Sequence, residues 1–194
     1  MTRTARITRE TSETNIECLL EVDGTGRADV KTGLGFLDHM LSTLAKHGRF
    51  DLNLMAVGDT QIDDHHTVED SAIALGRAIH EALGDRSGIT RFGYSYAPLD
   101  ESLSRAVVDL SGRPWPEIQL ALTRDTVGDV AAENLTHFLR SLAIEARMSL
   151  HVDVIRGDND HHKAESAFKA VAMALSSAVA ITGDEVPSTK GSLV

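Results

Sequence analysis

Asp64-His65-His66-Thr67-Val68-Glu69-Asp70 returns later in the chain as Asp160-His161-His162-Lys163-Ala164-Glu165-Ser166. This recurrence of HHxxE decides the fold, because an internal repeat reorganises every other assignment. Each copy opens a helix-spaced stretch. His66 to Leu83 carries Ile73, Leu75, Ile79 and Leu83 before Gly84, and His162 to Ala180 is alanine-rich. Each copy follows a strand-like run, Asp51 to Val57 or Leu150 to Ile155. Further upstream, each half has another helical stretch, Leu37 to His47 and Val130 to Met148. Three strands precede each of these: Ala5–Glu10, Ile16–Val22 and Arg27–Lys31, then Phe92–Ala97, Ser102–Leu110 and Trp115–Leu122. Asp23-Gly24-Thr25-Gly26 reads as a hairpin turn between the second and third strands. The order is β-β-β-α-β-α, twice. The expected fold is α+β, a two-layer α/β unit duplicated, with helices on one face of each sheet. Residues 1–90 and 91–183 form the half-repeats of one compact unit, and 184–194 form a polar tail.

Composition narrows the function classes. The chain has 194 residues, 42% hydrophobic and 25% charged, with a formal net charge of −10. That is globular composition with an acidic balance, which argues against nucleic acid or anionic membrane as a general partner. Cys18 is the single cysteine, so no internal disulfide forms, and it reads as a small core residue. No segment has the length and apolarity of a leader core or a membrane span. A cytoplasmic enzyme is expected.

The repeated motif has the chemistry of a metal site. On a helix, the glutamate shares a face with the histidines three and four residues before it. Adjacent histidines diverge by about 100°, so one HHxxE is suited to feed two ions. A lone histidine lies upstream of each motif, His39 by 26 positions before His65 and His137 by 24 before His161. The set is His39, His65, His66, Glu69, His137, His161, His162 and Glu165, three histidines and one glutamate for each of two metals. Imidazole-rich sets of this kind suit first-row divalent ions. Asp63, Asp64, Asp70, Asp158 and Asp160 are candidates to orient the imidazoles or to cap the helices. The remaining histidines read plainly: His80 on an outer helix face, His151 on a solvated strand face, His47 at a helix end.

Gly35-Phe36-Leu37-Asp38-His39-Met40, Asp64 to Asp70, and Gly157-Asp158-Asn159-Asp160-His161-His162-Lys163-Ala164-Glu165-Ser166 through Phe168-Lys169 closely resemble the imidazoleglycerol-phosphate dehydratase family. So do Arg9-x-Thr11-x-Glu13-Thr14 and Pro187-Ser188-Thr189-Lys190-Gly191. The resemblance spans essentially the whole chain. It implies a duplicated unit like domain 2 of ribosomal protein S5. It also implies two Mn2+ per active site, with other first-row divalent metals as alternatives, and a homo-oligomer of 24 subunits built from trimers with shared sites. The implied substrate is imidazole glycerol phosphate, and the pathway is histidine biosynthesis. The implied metal ligands are the same eight residues. The implied substrate positions are Glu13, His39, His47, His65, Glu69, Arg91, Arg113, His161, Lys169, Ser188 and Lys190, the last two in the tail. Arg91, Arg113, Lys169, Ser188 and Lys190 match the family's phosphate contacts, and Glu13 and Asp100 match its active-site acids.

The expected reaction is a hydro-lyase dehydration to imidazole acetol phosphate through an imidazolate, diazafulvene-type intermediate. Glu165 or Glu13 takes the carbon-bound proton, with Asp100 assisting. Two other readings are open at this point. A two-metal hydrolase would lean on bridging carboxylates, which imidazoles here outnumber. A metal-storage shell would leave the basic set around Arg91 and Lys169 without a purpose.

Overall fold

The computed structural model describes residues 3–191 and 193; residues 1, 2, 192 and 194, at the ends of the expected first half-repeat and tail, lie outside the described residues. Strand alternation builds the layers. In β2 (Thr14–Glu21), Ile16, Cys18 and Leu20 point inward and alternate with exposed positions. Burial pushes the Cys18 thiol up to about 12, in keeping with a core residue. β1 (Thr4–Glu10) and β4 (Asp51–Gly58) flank β2 antiparallel, and β3 (Ala28–Lys31) lies at the far edge, parallel to β4. The sheet order is β1-β2-β4-β3. α1 (Gly35–Gly48) connects β3 to β4, and α2 (His65–Leu83) follows β4.

The second half repeats this topology. β5 (Phe92–Leu99), β6 (Ser102–Asp109), β7 (Trp115–Gln119) and β10 (Ser149–Arg156) form a sheet of order β5-β6-β10-β7. Again only the edge strand β7 is parallel to its neighbour. α3 (Ala132–Glu145) precedes β10, and α4 (Asp160–Val179) follows it. A short ladder, β8 (Thr126–Val127) with β9 (Val130–Ala131), lies between β7 and α3.

Two local expectations are corrected. Asp23-Gly26 does not make a hairpin: β3 pairs with β4, and β4 separates it from β2. A parallel pair needs a crossover, which α1 supplies. Asp51, at the start of β4, holds the Asp23–Arg27 loop by accepting from the amides of Thr25 (2.7 Å) and Arg27 (2.9 Å). The helix expected from Val130 to Met148 is also shorter. Gly128, at φ 64°, turns β8 into β9, and Arg147, at φ 50°, lies just past the helix end.

Each sheet carries helices on one face. α2 covers β1 and β2, and α4 covers β5 and β6. Across the halves, α1 packs on α4 and α2 packs on α3, so the four helices form the middle of the molecule. Their leucines, including Leu37, Leu41, Leu75, Leu139 and Leu142, are fully buried, each contributing roughly 1.5–3 kcal/mol. Close approach is built in at two glycines. A Cβ at Gly76 of α2 would lie 2.7 Å from Glu145 Cβ of α3, and one at Gly93 of β5 would collide with the Ala174 carbonyl oxygen of α4.

Candidate metal centre

Each half ties down the approach to the other's first helix. Asp129, in the turn between β8 and β9, accepts from the Gly35 amide (2.6 Å) and the Phe36 amide (2.9 Å) at the start of α1. In return Asp64, ahead of α2, accepts from the Ala131 amide (2.8 Å), the residue before α3. This exchange sets α1 beside α4 and α3 beside α2, so each lone histidine meets the motif of the other half.

Two clusters result, each with ligand atoms within 4.8 Å of one another: His39, His161 and Glu165, and His65, Glu69 and His137. Glu165 Oε2 lies 3.2 Å from His39 Nε2 and 3.2 Å from His161 Nε2. Glu69 Oε1 lies 2.9 Å from His137 Nε2, and its Oε2 lies 3.8 Å from His65 Nε2. The His65 and His137 rings stack at 5.0 Å.

His66 and His162 belong to neither cluster. Their rings stand at 80° and 89° to those of His65 and His161, with centroids 5.9 and 6.1 Å apart. His66 Nδ1 is 3.1 Å from both oxygens of Asp59, and its Nε2 faces Glu13 Oε2 at 3.7 Å. His162 Nδ1 is 2.8 Å from Glu101 Oε2, and its Nε2 faces Asp100 Oδ2 at 3.8 Å. Glu13 and Asp100 therefore face the same ring nitrogen, each from the turn between the first two strands of its half. Within one chain, each cluster gathers two histidines and one glutamate of the expected three and one.

The acidic residues near the motifs mostly do other work than orienting imidazoles. Asp63 caps α2 at the His65 amide (2.9 Å), and Asn159 caps α4 at the His161 amide (2.9 Å). Asp160 is 1% exposed, accepts from the Thr123 and Arg124 amides and pairs with Lys163 at 2.9 Å. Asp70 accepts from the Thr14 hydroxyl and pairs with Arg9 at 2.8 Å. The orienting acceptors are instead Asp59, Glu101 and Asn134, the last at 3.1 Å from His65 Nδ1. None of these three stands out in the sequence: Asp59 and Glu101 merely flank positions noted for other reasons, and Asn134 is one polar residue on an amphipathic helix.

Burial raises the Glu165 carboxyl, but hydrogen bonds from Lys169 and His39 outweigh this and hold it at about 2. Lys169 Nζ is 2.7 Å from Glu165 Oε1. The Asp59 hydrogen bond raises His66, and the Glu101 hydrogen bond raises His162. Partial burial, with the Lys169 charge nearby, lowers His47. Lys169 and His47 thus gather beside the Glu165 cluster. Arg91 lies elsewhere, bound to both oxygens of Asp109 (2.7 and 3.1 Å) and to the Pro187 carbonyl (2.8 Å). Among the described residues, no hydrogen bond or ion pair links Arg113, Ser188 or Lys190 to either cluster. His80 is less exposed than its outer-face reading, lying 3.2 Å from the Arg86 guanidinium.

Carboxylates can only accept, so Asp59 and Glu101 place the proton of His66 and His162 on Nδ1 and leave Nε2 as the donor atom. Asn134 does the same for His65 if its amide oxygen faces the ring. Six imidazoles and two carboxylates, with no thiolate, fit a first-row divalent ion. The arrangement is that of a histidine-rich, metal-dependent enzyme.

Comparison with known proteins identifies the class further. A model of the imidazoleglycerol-phosphate dehydratase family matches residues 32–175. The imidazoleglycerol-phosphate dehydratase of Methanothermobacter thermautotrophicus is 52% identical over 96% of this chain and 95% of its own length. That of Phytophthora nicotianae is 58% identical over 98% of this chain, which spans only 42% of that longer relative. The crystal structure of the Staphylococcus aureus enzyme superposes with a TM-score of 0.84 at 36% identity, covering 92% of this chain and 99% of that one. The chain belongs to the imidazoleglycerol-phosphate dehydratase family. Its activity is that of a hydro-lyase of histidine biosynthesis.

Proposed function

We propose that the chain dehydrates imidazole glycerol phosphate to imidazole acetol phosphate at a site of two Mn2+ ions, completed by neighbouring copies of the chain. One observation carries this reading: each cluster holds three ligands, while His66 and His162 stand outside both with Nδ1 tied down and Nε2 on the side of Glu13 and Asp100. Three ligands from one copy and one histidine from another give each ion three histidines and one glutamate. A closed homo-oligomer, 24 subunits built from trimers, is the assembly that the family resemblance implies, and the half-repeats 1–90 and 91–183 act within it as one unit. The outer face of the second sheet supports self-association, since it exposes Tyr94 (75%), Tyr96 (55%) and Trp115 (64%). No described helix is long and apolar enough to cross a membrane; the cytoplasm is the proposed compartment.

When bound, the two ions would hold the substrate's ring nitrogens and ease loss of the ring proton. The chain's own residues supply the rest. Glu165, within reach of His39, His161 and Lys169, serves as a ligand. Glu13 is half-exposed beside His66, so it is the base for the carbon-bound proton, with Asp100 assisting from the matching turn. Lys169 and His47 stand on the substrate side of the Glu165 cluster. Arg91, Arg113, Ser188 and Lys190 hold the phosphate, with the 184–194 tail brought in through the Arg91 contact to Pro187. The test is metal content. The His66→Ala, His162→Ala double variant keeps both three-residue clusters but binds Mn2+ far more weakly. Unchanged Mn2+ content in that variant would overturn the shared-site reading.

A further inference from the structure

His66 and His162 are the second histidines of their motifs and hold equivalent places, yet the carboxylates on their Nδ1 atoms do not. Asp59 comes from the loop after β4, one residue past Gly58. Glu101 comes from the turn between β5 and β6, one residue past Asp100. The match to Asp59 in the second half is Asp158, one residue past Gly157, and its amide instead donates to Glu101 at 3.2 Å. By strand position the match to Glu101 in the first half is Glu13, each one residue before the second strand of its half, and Glu13 instead faces the other ring nitrogen, His66 Nε2, at 3.7 Å. A contact carried over by duplication would recur at matched positions. Two carboxylates from non-equivalent loops nevertheless reach the same ring nitrogen, Nδ1, of the second histidine.

We infer that Asp59 and Glu101 are positioning residues that lock His66 and His162 in the Nδ1-protonated tautomer, leaving Nε2, on the side of Glu13 and Asp100, to bind a divalent ion. The inference rests on the metal reading of the site and extends it to residues outside the ligand set. A carboxylate in this place fixes the ring rotation as well as the tautomer and makes Nε2 a better donor. The two differ in what else they hold. Glu101 Oε1 also accepts from the Asp158 and Asn159 amides (3.2 and 2.9 Å), so it braces the start of α4 too. The Asp59 carboxylate makes its described hydrogen bonds to His66 alone, which makes it the cleaner site to test.

The experiment compares full-length wild type, Asp59→Ala and Asp59→Asn, reading Mn2+ affinity by electron paramagnetic resonance of free Mn2+ and the melting temperature of each chelated protein. Asp59→Ala is expected to weaken one of the two ions per chain by about 10–100-fold. Its chelated melting temperature is expected to match wild type. Asp59→Asn, which can keep an acceptor oxygen on Nδ1, is expected to recover most of the affinity. Should Asp59→Ala not fold, Glu101→Ala, which leaves no acceptor on His162 Nδ1, reads the same loss at the other ion. Wild-type affinity in Asp59→Ala, or in Glu101→Ala where that variant stands in, would overturn the inference while leaving the metal reading intact; failure of wild type itself to take up Mn2+ would overturn both.

Discussion

The turn carrying Glu13 and the turn carrying Asp100 hold equivalent places in the two halves, but different chemistry fixes them. The first is anchored by ions: Asp70 of α2, 5% exposed, binds Thr14 and Arg9 beneath the turn. The position after Glu165 that matches Asp70 is Ser166, which makes a neutral hydroxyl pair with Ser104 at 2.6 Å. There the turn is braced instead through Glu101, whose carboxyl is pulled down to about 2, first by the Asn159 amide and then by His162. The outer faces diverge as well. Arg6, Glu17 and Asn53 lie on the first sheet, whereas Phe92, Tyr94, Tyr96 and Trp115 lie on the second. Only the clusters match closely. The placement of the donor atoms is what the halves share, and the supports around them differ freely.

The acids give the sharpest way to break this pairing. Glu13→Gln is expected to lower kcat by roughly 10²–10⁴-fold with Mn2+ content unchanged, the scale of a lost general base. Asp100→Asn is expected to cost less. Equal losses in steady-state assays would make the two turns functional equals. Glu165→Gln separates ligand from base: it is expected to reduce Mn2+ uptake together with turnover, and a variant with both ions and full activity would remove Glu165 from the account.

Stability differs between the halves in the same way. Asp160→Ala strands the buried Lys163 ammonium and is expected to cost about 3–5 kcal/mol in urea unfolding. Asp64→Ala, at the matching position, loses one hydrogen bond to the Ala131 amide and is expected to cost about 1 kcal/mol. Burial raises the Asp160 carboxyl, but the Arg124 amide and Lys163 outweigh it and bring it down to about 2. Its contribution is therefore complete above its ordinary value of 3.8 and fades as pH falls toward 2. A smaller effect tests the helical middle layer: Gly76→Ala crowds Glu145 and Leu142 of α3 and is expected to cost about 1–3 kcal/mol.

Local pattern made most elements legible, because burial alternates in β2 and β4 and repeats helically in α1 and α2. It failed where distant residues decide. Asp23-Gly26 has hairpin composition, yet Asp51 and the α1 crossover take β3 to the far edge. The β8–β9 ladder hid in a run that continues helical apolar spacing. At the site, the HHxxE spacing and the upstream histidines singled out the eight candidate ligands, and the chain folds six of them into two clusters. Asp59, Glu101 and Asn134 were not legible, since a carboxylate or amide that meets a ring across the fold leaves no periodic mark.

The most direct measurement is turnover of imidazole glycerol phosphate by the assembled protein after chelation and again after Mn2+ is added back. Activity that is lost on chelation and returns as Mn2+ binding approaches two ions per chain is the predicted result. Turnover indifferent to both treatments would contradict the assignment of His39, His161 and Glu165, and of His65, Glu69 and His137, to metal.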